Sequence, residues 1–406
     1  MKQKPGFSWI KVAVGASACM VVTSSYAESS VTLFGIMDNG FTYSSNETSL
    51  GKTSGGHSNF KMSPAVWAGS QFGFIGTEDI GGGTVVNFKL ASRFNSANGA
   101  AQFSGAEFGQ QAYVGVSNQK LGSVTLGRVF TSYYWTLQPF SPTNSLTGFA
   151  GAHPGDIDNL DTDFKTNSSI TYTTPTWAGL TASAGYSLAG VAGCFTCGSS
   201  WSAGIRYKPN AFGVAVAIER FNNSTQGGGA WGADSTATAG GQQGVSALTN
   251  GFQTAATQQR FAVGAGYAFS PRADVNFTYS NVQYIPGINS SFKSMAVWNT
   301  VGVVAHYQVM PALDVAAGYS FTRASKSNGI SDSAKYQQIS ISEYYSLSKR
   351  TGIYVLQAYQ RAGGKTLGTN GVSVIDATAT IGDGFNSAPS ATGNQFVATI
   401  GIIQKF

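Results

Sequence analysis

The sequence predicts an all-β fold: a transmembrane antiparallel β-barrel closed from sixteen strands. Three observations predict it: an export signal at the N-terminus, a charge content far below that of ordinary domains, and a chain built of short segments with period-two hydrophobicity.

The export signal comes first. Lys2, Lys4 and Lys11 form a basic start, residues 12–23 form a short apolar stretch, and Ser25-Tyr26-Ala27 places small residues for cleavage. Cleavage after Ala27 leaves a single unit, residues 28–406, with no internal domain boundary. A lipoprotein reading of Ala16-Ser17-Ala18-Cys19 lacks the usual leucine. Removing the three lysines takes the formal charge from +6 to about +3, which is no nucleic-acid footprint.

Charged residues make up 10% of the chain, against about 25% in ordinary domains. The 18 tyrosines, 26 phenylalanines and many β-branched residues argue against disorder. Past the signal there is no apolar run of about 18 residues, so helical membrane spans are excluded. A closed barrel is the remaining way for such a chain to cross a bilayer.

Alternation then locates the strands. Leu180, Ala182, Ala184, Tyr186 and Leu188 alternate with small or polar residues, as do Phe261 to Phe269 and Leu313 to Phe321. The apolar face is expected to meet lipid and the small or polar face a lumen. Sixteen segments begin near Val31, Trp67, Thr84, Gln110, Ser123, Ser168, Gly179, Ser200, Gly213, Gln259, Ala273, Asn299, Leu313, Lys335, Gly352 and Asn394. Short turns alternate with long polar stretches at residues 44–66, 130–163, 222–258 and 362–393. That asymmetry is expected of an outer-membrane barrel, with short periplasmic turns and long extracellular loops. Aromatics near segment ends, among them Trp67, Trp177, Trp201, Tyr345 and Phe406, suit interfacial girdles but also simply favour strands.

Several stretches then resemble the general Gram-negative porins of the β-proteobacterial type (Burkholderia, Bordetella, Neisseria). They include Ser30-Val31-Thr32-Leu33-Phe34-Gly35-Ile36-Met37-Asp38, Ser70-Gln71-Phe72-Gly73-Phe74-Ile75-Gly76-Thr77-Glu78-Asp79, Gln111-Ala112-Tyr113-Val114-Gly115 and Leu121-Gly122-Ser123-Val124-Thr125-Leu126-Gly127-Arg128. His153-Pro154-Gly155-Asp156, Tyr172-Thr173-Thr174-Pro175 and the terminal Gln404-Lys405-Phe406 continue the match colinearly. The resemblance implies a homotrimer in the outer membrane, with lipid and lipopolysaccharide around it and no cofactor. It implies passive passage of small hydrophilic solutes, a third loop folded into the lumen, and Phe406 as the signal read by the barrel-assembly machinery.

In that family, carboxylates on the third loop face a basic wall. Here the third loop, residues 130–163, carries Asp156, Asp158, Asp161 and Asp163. The same cluster also reads as a solvated acidic rim, as turn-forming residues, or as oxygen ligands for Ca²⁺. The wall departs from the family pattern: Gln71 and Gln110 stand where relatives commonly carry arginine. By parity Asn87, Lys89 and Arg93 face the lumen, and with Lys165 they replace the missing charge. Arg128 is a further wall candidate, although its parity places it with Val124 and Leu126 toward lipid; a bulge or strand end would resolve the conflict. The charge balance favours weak anion preference.

Cys194-Phe195-Thr196-Cys197 reads as a redox motif, half a zinc site or a disulfide. With no second ligand pair and an oxidising exported compartment, a disulfide stapling the loop is favoured. Only His57, His153 and His306 are available for catalysis and no G-x-S-x-G occurs, so an enzyme is not expected. The competing readings are a substrate-specific channel, in which Tyr133, Tyr134 and Trp135 stack a sugar or merely pack the loop, and an adhesin or receptor barrel acting through its long loops.

Overall fold

The computed structural model describes residues 29–103, 105–145, 149–161, 165–230, 245–383 and 388–406. The export signal and Asp163 lie outside these residues.

The first half of the chain runs β1 (Ser30–Glu47), β2 (His57–Pro64), β3 (Gln71–Asp79), β4 (Thr84–Arg93), β5 (Gln111–Asn118), β6 (Gly122–Phe130), the helix α1 (Ser132–Leu137), β7 (Lys165–Thr173), β8 (Leu180–Ser187), β9 (Ser200–Tyr207) and β10 (Phe212–Asn222). The second half runs β11 (Thr257–Ser270), β12 (Ala273–Ile285), β13 (Ala296–Met310), β14 (Leu313–Ala324), β15 (Lys335–Ser346) and β16 (Thr351–Gly363). Four short loop strands follow, β17 (Lys365–Leu367), β18 (Val374–Asp376), β19 (Thr380–Ile381) and β20 (Ala388–Pro389), and then β21 (Asn394–Lys405).

Neighbours pair antiparallel in chain order, and β21 closes the ring on β1, from Ile36 opposite Lys405 to Ser44 opposite Val397. Closure leaves no unpaired edge, which a lipid environment would not tolerate. Phe406 extends this seam by donating to the Gly35 carbonyl at 3.0 Å and accepting from the Gly35 N–H at 2.9 Å. β1 pairs with β2 at one end and with β3 at the other. These two strands are therefore one stave of the barrel, interrupted at residues 65–70, and the staves number sixteen.

The interruption corrects the expected start of this stave at Trp67. The stave begins at His57, inside the stretch 44–66 read as loop, and its Phe60 and Met62 point outward. Ala65 adopts a left-handed φ of 58°, and the chain steps into the lumen. Asp38, facing inward from β1, holds the step by accepting the N–H groups of Trp67 and Ala68 at 2.6 and 2.7 Å. Tyr354 donates its hydroxyl to the same carboxylate, and the Trp67 ring packs on Tyr344 and Tyr354 at 4.9 and 5.5 Å.

The apolar face is outside, as the alternation requires: Val31, Leu33, Phe72, Val114, Ile170, Phe261, Tyr319 and Ile341 are all exposed. The packed core lies inside the barrel, where loops meet the wall. Tyr133, Leu137, Phe140 and Leu160 of the third loop pack on Ala215, Ala217 and Ala262. Ile157 joins Leu248, Phe252, Phe292, Trp298, Tyr336 and Leu367 from the later loops and wall. Val66, from the step in the second stave, meets Ala150 of the third loop and Ile381 of the last.

The lumen and its constricting loops

The third loop leaves β6 at Thr131, whose hydroxyl accepts the Tyr134 N–H to cap α1 and donates to Glu219 on β10 at 2.9 Å. It then crosses the lumen and lies on a wall stripped of side chains. A Cβ at Gly204 would collide with Thr136, one at Gly264 would sit 2.8 Å from Phe140, and one at Gly302 would collide with His153. The small-residue face of β9, β11 and β13 is therefore a seat for the loop as well as a lumen surface.

On its return, the loop offers the carbonyls of Ala150 and Ala152 to Gln338 Nε2 at 3.0 and 2.8 Å. His153 is buried, with Nδ1 2.7 Å from Asp158 Oδ2 and Nε2 3.2 Å from Thr278 Oγ1. Ser280 donates to the same Asp158 oxygen at 2.6 Å, and the Tyr133 hydroxyl donates to the Asp158 carbonyl at 2.9 Å. Burial opposes the charged imidazole, but the adjacent Asp158 carboxylate outweighs it and raises the His153 pKa above its ordinary value. Burial likewise opposes the Asp158 charge, yet His153 and the Ser280 hydroxyl hold its pKa below the usual value. Asn159 donates to Glu219 at 3.1 Å, and Arg260 donates from Nε to the Ile157 carbonyl at 3.3 Å.

The acidic cluster is thereby divided. Asp158 is an anchor to the wall. Asp156 is buried and accepts the Asp161 N–H at 3.0 Å, which shapes the loop. Asp161 lines open space. Among the described residues no group of three or more His, Cys, Asp or Glu side chains is arranged to hold a metal ion, so the Ca²⁺ reading finds no site in Asp156, Asp158 and Asp161.

That open space is a cavity of about 560 Å³ beside the loop. Gln71, Lys89, Arg93 and Gln110 line its wall side, and Asn87 shares the inward face of β4 with Lys89 and Arg93. Tyr134, Gln138, Asn144 and Asp161 line the loop side. Lys89 Nζ lies 5.3 Å from the Phe34 ring centre, and the Arg93 guanidinium occupies the space a side chain at Gly69 would fill. A second cavity, of about 370 Å³, shares Gln111, Phe130 and Gln138 with the first and continues along β5 to β9.

Lys165 and Arg128 are placed differently. Both are buried against the Phe103 ring, with Lys165 Nζ at 4.9 Å and the Arg128 guanidinium at 5.7 Å from its centre. Arg128 also donates to the Gly109 carbonyl at 2.7 Å. A register shift between Gly127 and Val129 marks the bulge that its parity required. These two cations pin the loop between β4 and β5 and do not line either cavity. Cys194 and Cys197 are bonded to each other, and Phe195 between them stacks on Tyr186 at 5.7 Å.

Several lining residues escaped the sequence reading, among them Arg206, Gln111, Lys405 and Asp383. Gln111 shares inward parity with Tyr113 and Gly115, while Val114 and Val116 are exposed, so alternation in β5 carried that signal. Lys405 lies at the seam. Asp383 reaches the first cavity because the last loop folds inward: Gln360 bonds the Thr380 backbone in both directions, at 2.9 and 2.7 Å, and Gln395 accepts the Ile381 N–H at 2.8 Å. No local pattern around Asp383 announces this.

A closed barrel with a loop seated in its lumen matches a family model described as Gram-negative porin over residues 15–365. The chain belongs to the Gram-negative porins. It is 33% identical over 171 residues to an outer membrane porin protein of Bordetella pertussis, and 34% identical over 167 residues to outer membrane porin protein 32 of Delftia acidovorans. These matches cover 40% and 39% of this chain and span 43% and 44% of the relatives, under half their length. Among solved structures, the anion-selective porin from Comamonas acidovorans superposes with a TM-score of 0.67 at 22% identity, over 93% of this chain and all of that one. A Salmonella typhi OmpF complex with daunomycin superposes with a TM-score of 0.59 at 17% identity, covering 93% of this chain and 97% of that one. At such identities these two likenesses speak for the fold. As a porin, the protein is a transmembrane barrel of the Gram-negative outer membrane.

Proposed function

We propose that this porin is a general diffusion channel, passing ions and small hydrophilic solutes passively, with a weak preference for anions. One observation carries the reading: a cavity stands beside the third loop, and its lining is polar and carries side chains of both charges. Lys89, Arg93 and Lys405 lie among the lining residues with Asp161 and Asp383. A field of this kind across a narrow aqueous section orders water, favours polar solutes and resists apolar ones, which must disrupt that order. Three cations with two carboxylates tilt the section toward anions.

The loops support a channel over an adhesin. Leu248, Phe252 and Leu367 of the long loops are buried inward, and the last loop contributes Asp383 to the cavity. The working form is a trimer embedded in lipid and lipopolysaccharide, made from a precursor cleaved after Ala27. Phe406, at the β1–β21 seam, is the residue through which the assembly machinery recognises the last strand. The enzyme-like groups have structural partners instead: His153 is committed to Asp158, and His306 bridges Asp274 and Asp314 at 2.8 and 3.2 Å.

Liposomes carrying the refolded barrel test this. Swelling in an isosmotic pentose that slows steeply with tri- and tetrasaccharides is expected. No swelling in a pentose, from a barrel that still resists detergent until heated, overturns the channel.

A further inference from the structure

The second cavity differs in chemistry from the rest of the lumen. Its lining combines the Trp135, Phe130 and Tyr113 rings with the Arg206 guanidinium, and Gln111 and Gln138 flank them. Thr125, Thr171, Thr173, Thr181 and Ser183 supply hydroxyls, and no carboxylate is among the described lining residues. The first cavity holds Asp161 and Asp383. A third, lined by Pro139, Phe140 and Asn144 of the loop, holds Asp274 and Asp314.

Trp135 is 49% exposed within this aqueous space, although Tyr133 two residues earlier is fully buried. Its position is fixed. The ring lies 5.4 Å from Phe130 and 6.2 Å from Tyr134, and its backbone carbonyl accepts Arg206 Nη1 at 3.2 Å. A guanidinium carries five N–H donors, so that bond leaves most of the donor capacity of Arg206 to the cavity it lines. A cation tied to an open indole, ringed by hydroxyls and lacking a competing carboxylate, fits a flat apolar ring that ends in an anionic group. A neutral sugar would use the ring, the hydroxyls and ordinary hydrogen bonds from the guanidinium, without the bond between opposite charges that a carboxylate makes.

We propose that this cavity is a weak binding subsite for small aromatic monocarboxylates, with the solute ring on Trp135 and its carboxylate on Arg206. The subsite rests on the channel reading. It lies next along the path for an anion drawn in by Lys89 and Arg93, since the two cavities share Gln111, Phe130 and Gln138.

The test records single channels in KCl while benzoate, acetate, benzyl alcohol or glucose is added. Benzoate is expected to reduce the current at concentrations at least about fivefold below acetate and benzyl alcohol, which each carry half of the recognised chemistry. Arg206→Gln and Trp135→Leu are each expected to raise the half-blocking concentration of benzoate about fivefold while open channels persist in KCl. Equal block by benzoate and acetate, block by glucose at the same concentration, or block unchanged in both variants would overturn the subsite. Absence of any KCl conductance would instead overturn the channel reading itself, so the two failures are distinguishable.

Discussion

Gly302→Ala adds one methyl group to the wall and should loosen the third loop. The backbone of β13 is held by two antiparallel neighbours and cannot retreat. A Cβ at residue 302 would collide with His153 Nε2 and sit 2.9 Å from Thr278 Oγ1. His153 is boxed in, bonded through Nδ1 to Asp158 and through Nε2 to Thr278. To make room, the ring must rotate and give up its carboxylate partner. Separating a buried ion pair costs about 3–5 kcal/mol, because each charge is left without compensation. Gln338, Glu219 and Phe140 still hold the loop, so the barrel itself remains intact. Hydrogen exchange followed by mass spectrometry reads the effect: amides of residues 149–161 should exchange roughly 10²–10⁴-fold faster, while those of β12 and β13 are unchanged. The companion is His153→Ala, which removes the same anchor. On that background the added methyl meets only the Thr278 hydroxyl, and Gly302→Ala should cost much less than it does in the wild-type chain. Wild-type exchange in Gly302→Ala, or full additivity in the double variant, would refute the reasoning.

Protection of the same loop segment should depend on pH in a defined direction. The His153 contribution is complete below its ordinary pKa of 6.5 and fades as pH rises through its raised folded value. The Asp158 contribution is present above 3.8 and fades as pH falls through its lowered folded value. Protection of residues 149–161, taken relative to the intrinsic exchange rate at each pH, should therefore be highest between these limits and fall toward alkaline pH; protection that rises there would contradict the pair. In the open path, Lys89→Gln and Arg93→Gln should each reduce the anion-to-cation permeability ratio about two- to fivefold, and Asp161→Asn and Asp383→Asn should raise it, read from reversal potentials. Lys165→Gln and Arg128→Gln should move selectivity little and disturb the loop between β4 and β5 instead. Reduction of Cys194–Cys197 opens a very short chain loop, worth about 2 kcal/mol of local order. It should quicken proteolysis near residues 188–199 and leave conductance unchanged.

The barrel was legible because a lipid-facing wall imposes one rule, alternation, on every stave. The second stave broke the rule at residues 65–70, and its outer half hid inside a polar stretch. The capping Asp38 lies about 30 residues earlier, beyond any local pattern. The lumen was half legible. Parity placed Asn87, Lys89 and Arg93 on the inward face and the family resemblance added Gln71 and Gln110, but neither could separate four aspartates of similar spacing. What divides Asp158 from Asp161 is Ser280 and the His153–Thr278 bond, more than a hundred residues away along the chain. Lys165 and Arg128 turn on Phe103, in a loop that no periodicity describes.

The most direct measurement is a planar-bilayer recording of the refolded protein across a KCl gradient. Large ohmic steps, closing in three levels at high voltage and with a reversal potential on the anion side, are the expected result. A folded, heat-modifiable barrel that inserts and yields no steps would contradict the channel. A reversal potential firmly on the cation side would show that Asp161 and Asp383 outweigh Lys89, Arg93 and Lys405 in the field that solutes cross.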